Sequence, residues 1–146
     1  MTDRLPFTRG NRDGPDLGTV LSTTVPQPRP SAEHLLRVRR TQWSENLLVV
    51  SAEGEIDLAT AGRLELELLG DLPAATVLDL TDVTFMGVAG LRVVESAVAR
   101  GQAKQRWTGV VASTRPVLRL LQLFGVDTRI PLYRHLTQAV QAVPRP

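Results

Sequence analysis

Two histidines, a pair of nearby aspartates, one lysine and one glycine-bounded turn are the places where this chain could do chemistry. The sequence has no Gly-x-Ser-x-Gly elbow and no cysteine, so neither histidine has a nucleophile to activate. His34 falls at a compositional boundary, and His135 opens the last predicted helix as a helix-end residue. No His-x-x-x-His or Cys-x-x-Cys pair occurs, which argues against a metal centre. Lys104 has no phosphate-binding loop before it, and the dinucleotide fingerprint is missing. Asp79 and Asp82 flank the end of the third predicted strand. Paired carboxylates can exchange protons with a substrate, but solvating a strand end is their commoner use. No residue set here implies a cofactor.

The turn Phe85-Met86-Gly87-Val88-Ala89-Gly90-Leu91 is the most informative stretch. It joins a strand-like run, residues 75–80, to an amphipathic helix marked by Leu91, Val94 and Val98. The first backbone N–H groups of a helix lack internal partners, so such a turn suits an anion. Val88 and Ala89 bring no reactive group, and any role of theirs must come from shape and apolar contact. Gly90 permits tight packing where strand meets helix, and Phe85 and Met86 read as core.

The elements that hold this turn follow from the rest of the chain. At 146 residues the chain is expected to hold one domain with a sizeable core. Hydrophobic residues make up 42% and charged residues 22%, the balance of an ordinary soluble globular protein. No run of eighteen apolar residues exists, so no membrane insertion is expected. Arg4 and Arg9 precede no apolar segment, so a secretory signal is not read and a cytoplasmic location is expected. Net charge is +2, and the seventeen basic residues include a single lysine. Arg37-Val38-Arg39-Arg40 is the one basic cluster, with Arg37 and Arg39 on one strand face. That footprint is too small to predict nucleic-acid binding.

Residues 1–32 contain Pro6, Pro15, Pro26, Pro28 and Pro30 with Gly10, Gly14 and Gly18, and they lack apolar periodicity. They predict a flexible arm, followed by a domain over residues 33–146. Residues 35–40 predict an outer strand, residues 43–46 a turn, and residues 47–52 a central strand apolar on both faces. Asp57 is placed to cap a helix with Leu58, Ala61, Leu64 and Leu68 inward and Gly70 at its end. The next helix is expected over residues 89–100 with Gly101 as its stop. Residues 107–112 predict a strand. Thr114 caps a helix with Pro116 in its first turn and Val117, Leu120, Leu121 and Phe124 inward, ended by Gly125. Residues 130–133 predict a short edge strand, and residues 134–143 a last helix. Alternating strands and helices imply an α/β domain with a mostly parallel sheet of four to five strands and about four helices.

Four segments in this order resemble the STAS domain of anti-sigma factor antagonists: Gly54-Glu55-Ile56-Asp57, residues 77–86, Leu120-Leu121-Gln122-Leu123-Phe124-Gly125-Val126-Asp127, and Ile130-Pro131-Leu132-Tyr133 with the helix after it. The resemblance spans roughly residues 35–143 and implies a single STAS-like domain. In that family the turn usually reads Phe-(Ile/Met)-Asp-Ser-Ser-Gly-Leu, and its second serine takes phosphate from a partner kinase. Here Gly87, Val88 and Ala89 replace the acid and both serines, so Ala89 occupies the acceptor position.

The resemblance implies a regulatory binding module rather than an enzyme. Its partner would be an anti-sigma factor that is itself a serine-kinase ATPase, and binding would free a sigma factor. The implied contact residues are Asp57, Met86, Gly87, Val88, Ala89, Gly90, Leu91 and Arg92. Phosphate at the turn would add a charge of about −1.5 to −2 and break the complex; this chain lacks the hydroxyl for that step. Thr60, Thr84 and Ser96 are other hydroxyls nearby, with nothing to mark them as acceptors. The alternative is a non-phosphorylatable STAS scaffold subunit in a stress-signalling or transporter-associated complex. A small ligand-binding α/β domain would need a polar pocket. Oligomeric state is not legible.

Overall fold

The computed structural model describes residues 35–145. The expected arm and His34 lie outside the described residues. β1 (Leu36–Ser44) and β2 (Leu47–Ile56) form an antiparallel hairpin around Glu45 and Asn46. α1 (Ala61–Leu68) then leads to β3 (Ala75–Met86), α2 (Val88–Ala103) to β4 (Trp107–Val111), and α3 (Arg115–Leu123) to β5 (Leu132–Tyr133). A 3-10 turn (Val126–Thr128) precedes β5, and α4 (Leu136–Ala142) follows it. The sheet order is β1-β2-β3-β4-β5, and every pair after the first is parallel. This is the expected α/β arrangement of five strands and four helices.

Alternation along the strands divides two cores. Leu48, Val50 and Ala52 of β2, with Leu78 and Leu80 of β3 and Val110 of β4, face α1, α2 and α3. Leu47, Val49, Val77 and Val111 face the other way, where Ala139, Leu136 and Val140 of α4 cover them. Leu47, Leu48, Val49 and Val50 are consecutive and all buried, as a strand covered on both faces must be.

β3 is twice as long as expected and overhangs its neighbour. Only residues 75–79 pair with β4, whereas β2 follows β3 as far as Met86. Beyond Asp79 the start of α3 stands in for the missing strand. Thr114, the N-cap residue of α3, gives its hydroxyl to the Val83 carbonyl at 2.8 Å rather than to its own helix. A buried carbonyl at a sheet boundary needs such a donor. Two irregularities each give β3 an extra residue relative to β2: Ser51 and Glu53 sit opposite Asp79 and Asp82, and Gly54 and Glu55 sit opposite Val83 and Phe85. Gly54 takes φ +113° at the second, and a Cβ there would collide with the Leu35 carbonyl oxygen.

Several local expectations are corrected. Asp57 does not cap α1: the helix starts at Ala61 behind N-cap Thr60, and Leu58 points to solvent. α2 begins at Val88 and runs through Gly101 to Ala103. Gly101 is there for close approach, since a Cβ would lie 2.6 Å from Thr108 Oγ1 of β4. The left-handed residue past the helix end is Gln105, φ 55°. Phe85 and Phe124 are exposed rather than core, and Leu118 takes the inward place on α3. Gly70 and Gly125 do adopt the positive φ expected after α1 and α3.

Candidate functional site

The corner between β3 and α2 lies at the carboxyl ends of β2 and β3. Glu55 is opposite Phe85 and Ile56 opposite Met86. The chain then leaves both strands at once, and the Gly87 N–H donates to the Ile56 carbonyl at 2.9 Å. One turn, residues 57–60, thus lies beside the start of α2.

The Asp57 turn is held from within. Asp57 Oδ1 accepts from the N–H groups of Ala59 (2.9 Å) and Thr60 (3.1 Å). The Thr60 hydroxyl, fully buried, donates to the Glu55 carbonyl at 2.8 Å and accepts from the Asp57 N–H at 2.9 Å. The Asp57 carboxylate therefore works first as a turn former. It fixes Leu58 at the apex, 89% exposed.

The start of α2 is bare. Gly87 is its N-cap residue with no side chain to cap with, and the first turn holds no acid. The free N–H groups of Val88 and Ala89 keep the positive end of the helix dipole at the surface. Val88 is 49% exposed, Ala89 is partly buried against the main core, and Arg92 is exposed one turn later. Phe85 is 49% exposed, with its ring edge 3.6 Å from where a Gly87 Cβ would stand. Leu58, Phe85 and Val88 thus crown one end of the sheet with apolar surface.

The eight residues read as contacts divide in two. Asp57, Gly87, Val88, Ala89 and Arg92 reach the surface to differing degrees. Met86, Gly90 and Leu91 are buried and act as footing. A Cβ at Gly90 would lie 2.6 Å from Ile56 Cγ2 and 2.7 Å from Met86 Cγ, so glycine sets how closely α2 approaches β2 and β3. Sequence reasoning missed Leu58 and Phe85 as surface residues. The Asp-x-x-Thr pattern of residues 57–60 was the available signal for Leu58. Phe85 had one too: alternation from Leu78 and Leu80 carries Met86 inward and Phe85 outward, and the two bulges cancel, so that only Val83 between them is switched onto the core face.

The remaining hydroxyls are engaged elsewhere. Ser96 accepts from the Arg100 guanidinium at 2.8 Å, Thr60 is sealed, and exposed Thr84 donates to the Gly54 carbonyl at 3.3 Å. Asp79 Oδ1 accepts from both the N–H and the hydroxyl of Thr81, which is strand-end solvation made internal. Arg37 and Arg39 share a face, as expected, and line a trench of about 330 Å³ with Glu53, Asp79 and Asp82. The basic cluster thus shares its trench with acids of its own sheet. His135 is the N-cap residue of α4, in a reciprocal capping box with Gln138. Among the described residues no group of three His, Asp or Glu could hold a metal ion, and no helix is long and apolar enough to cross a membrane.

The STAS-domain family model matches residues 39–139. The anti-sigma-F factor antagonist RsfB of Mycobacterium tuberculosis is 37% identical over 99 residues, which cover 65% of this chain and 80% of RsfB. A crystal structure of an anti-sigma factor antagonist from Mycobacterium paratuberculosis matches with a TM-score of 0.70 at 34% identity, over 78% of this chain and 98% of that one. The anti-sigma factor antagonist SpoIIAA, solved in its unphosphorylated form, shares the fold with a TM-score of 0.61 at 13% identity, over 75% and 100% of the two chains. With strand order, helix order and the corner between β3 and α2 already in place, these matches establish that the chain belongs to the STAS-domain family, among its anti-sigma factor antagonists.

Proposed function

We propose that this chain binds an anti-sigma factor of the serine-kinase ATPase type through the corner formed by residues 57–58 and 85–92, and so frees a sigma factor. It stays competent because the turn offers no phosphate acceptor. One observation carries this reading: an uncapped helix start bearing Val88 and Ala89 stands beside exposed Leu58 and Phe85. Apolar surface of this kind, rimmed by polar groups, is what a partner protein buries. Alanine approximates an unmodified serine in volume and charge, so the contact surface resembles the uncharged state of a switchable relative. In this reading residues 33–146 form the binding module, residues 1–32 a separate arm, and the site of action is the cytoplasm. The module recognises and performs no catalysis of its own.

The name of the mycobacterial relative supplies the probe. Purified M. tuberculosis anti-sigma-F factor is mixed with the full chain, with and without ATP, and followed by calorimetry and intact mass. Expected is a saturable complex that ATP does not dissolve, with no phosphate on residues 84–91. Stoichiometric phosphate there would refute the constitutive reading. Absence of any complex would leave the scaffold role as the better account.

A further inference from the structure

The carboxyl end of the sheet carries a second feature, away from the corner. Past β4 and β5 the chain splits. α3 lies on one face of the sheet and α4 on the other, and Ala112 N–H still bonds the Tyr133 carbonyl at 2.9 Å. Over that divide sits a groove of about 490 Å³ lined by Ser113, Arg115, Leu118, Arg119, Gln122 and Arg134. Crevices outside the carboxyl ends of parallel strands, between helices that go to opposite faces, are where α/β sheets hold ligands.

Three of the six lining residues are arginines and none is acidic. Arg115 and Arg119 are one turn apart on α3, and Arg134 comes from the segment after β5. No hydrogen bond or ion pair is made by any of the three side chains among the described residues; Arg37 and Arg39 make none either, but they share their trench with Glu53, Asp79 and Asp82, whereas no acid lines this groove. Concentrating three cations without a counter-charge costs free energy, which a bound anion would recover. A carboxylate offers two coplanar oxygens and suits one guanidinium fork. A tetrahedral phosphate offers oxygens in several directions and suits forks from two walls. Ser113 and Gln122 add neutral donors. The start of α3 adds its dipole, since Thr114 spends its hydroxyl on Val83.

We infer that the groove between α3 and the β5–α4 connection is a binding site for a phosphate-bearing small molecule, gripped by Arg115, Arg119 and Arg134. This site is independent of the partner reading above.

The test is an amide NMR titration of the full ¹⁵N-labelled chain at constant ionic strength. Inorganic phosphate, glycerol phosphate, acetate and a short polyglutamate peptide are the probes. Expected are saturable shifts confined to residues 113–119 and 134–135, for phosphate and its ester but not for acetate. Equal affinity for the two phosphates means that the tetrahedral anion alone is read; tighter binding of glycerol phosphate assigns the site to an ester. Arg119→Gln and Arg134→Gln should each weaken binding about threefold, the scale of one solvated ion pair, with unchanged melting. Equal shifts from acetate, shifts scattered over the other arginines, or unaltered affinity in both variants would overturn the site. Tighter binding of polyglutamate at the same residues would overturn it in favour of an acidic protein surface. No anti-sigma factor enters the assay, so its failure leaves the proposed function untouched.

Discussion

Gly87 donates its backbone N–H to the carbonyl of Ile56 at 2.9 Å, and this bond joins the end of β2 to the start of α2. Through it the Asp57 turn and the Val88-Ala89 turn share one foundation, although thirty residues separate them. The candidate contact surface is therefore a property of the parallel β2–β3 pair, and its geometry depends on how closely α2 can settle onto that pair.

Gly90 sets that distance. Gly90→Ala would press a methyl group against Ile56 and Met86, and Ile56 is β-branched and stiff. The expected loss is about 1–2 kcal/mol, overpacking less the helix propensity gained. Gly62→Ala is the matched control: nothing lies within 4 Å of that Cβ, so only propensity acts and stability rises by up to about 1 kcal/mol. Urea unfolding of the two variants should move in opposite directions.

Leu58 is 89% exposed and Phe85 about half exposed, so Leu58 contributes little to folding and Phe85 only part of what a core phenylalanine would. Leu58→Ser should leave the unfolding free energy within about 0.5 kcal/mol of the parent, and Phe85→Ser, half buried on a strand, should cost about 1–2 kcal/mol. Each should weaken the complex with the anti-sigma factor by about 1–2 kcal/mol, read by calorimetry. Leu123→Ser removes another largely exposed leucine, at the end of α3, and should not change binding. Comparable loss from all three would show that the contact surface lies elsewhere.

Asp57 and Thr60 divide their labour by burial. Thr60→Val keeps the shape but removes the hydroxyl that serves both the Glu55 carbonyl and the Asp57 N–H. Two backbone groups would lose their partner, at a cost of about 1–3 kcal/mol. Asp57→Ala removes bonds to two N–H groups near solvent and should cost about 1 kcal/mol. Thermal melts that ranked Asp57→Ala as the more harmful would contradict the view that Thr60 is the keystone of the turn.

The elements were legible because apolar period and glycine punctuation agree along most of the chain. Leu47–Val50 could only be a strand covered twice, and Ala61, Leu64 and Leu68 could only be one helix face. What failed was local. Leu58 continues the helical spacing backward, yet Asp57 and Thr60 close a turn there first. Phe85 continues the strand, yet it alternates with buried Met86 and falls on the face that no helix covers at that end of the sheet. Gly101 looks like a stop, but its missing Cβ is needed inside the helix, against Thr108. Thr114 sits at a cap position, yet its hydroxyl answers a demand from β3. The Leu58 turn was decided by its immediate neighbours, and Thr114 by a carbonyl 31 residues away. The arginine groove was invisible because Arg115 and Arg134 come to line it only once β5 is placed beside β4.

The bare start of α2 also makes a prediction about the proposed absence of a phosphate acceptor at this corner. Gly87→Asp with Val88→Ser and Ala89→Ser places an acid and two hydroxyls at the turn on an intact frame. Val88 is exposed, Ala89 is partly buried and the position of a Gly87 Cβ meets only ordinary contacts, so the triple variant should fold. An acid at the N-cap should offset the small packing loss, keeping stability within about 1 kcal/mol of the parent. Incubated with the anti-sigma-F factor and ATP, the variant should gain one phosphate by intact mass and then leave the complex, while the parent gains none and stays bound. The phosphate would rest on free N–H groups of its own helix, so the modified variant alone should melt no lower than its unmodified form. Phosphate uptake without release would show that charge at this corner does not control association, and that the surface engages its partner by another route.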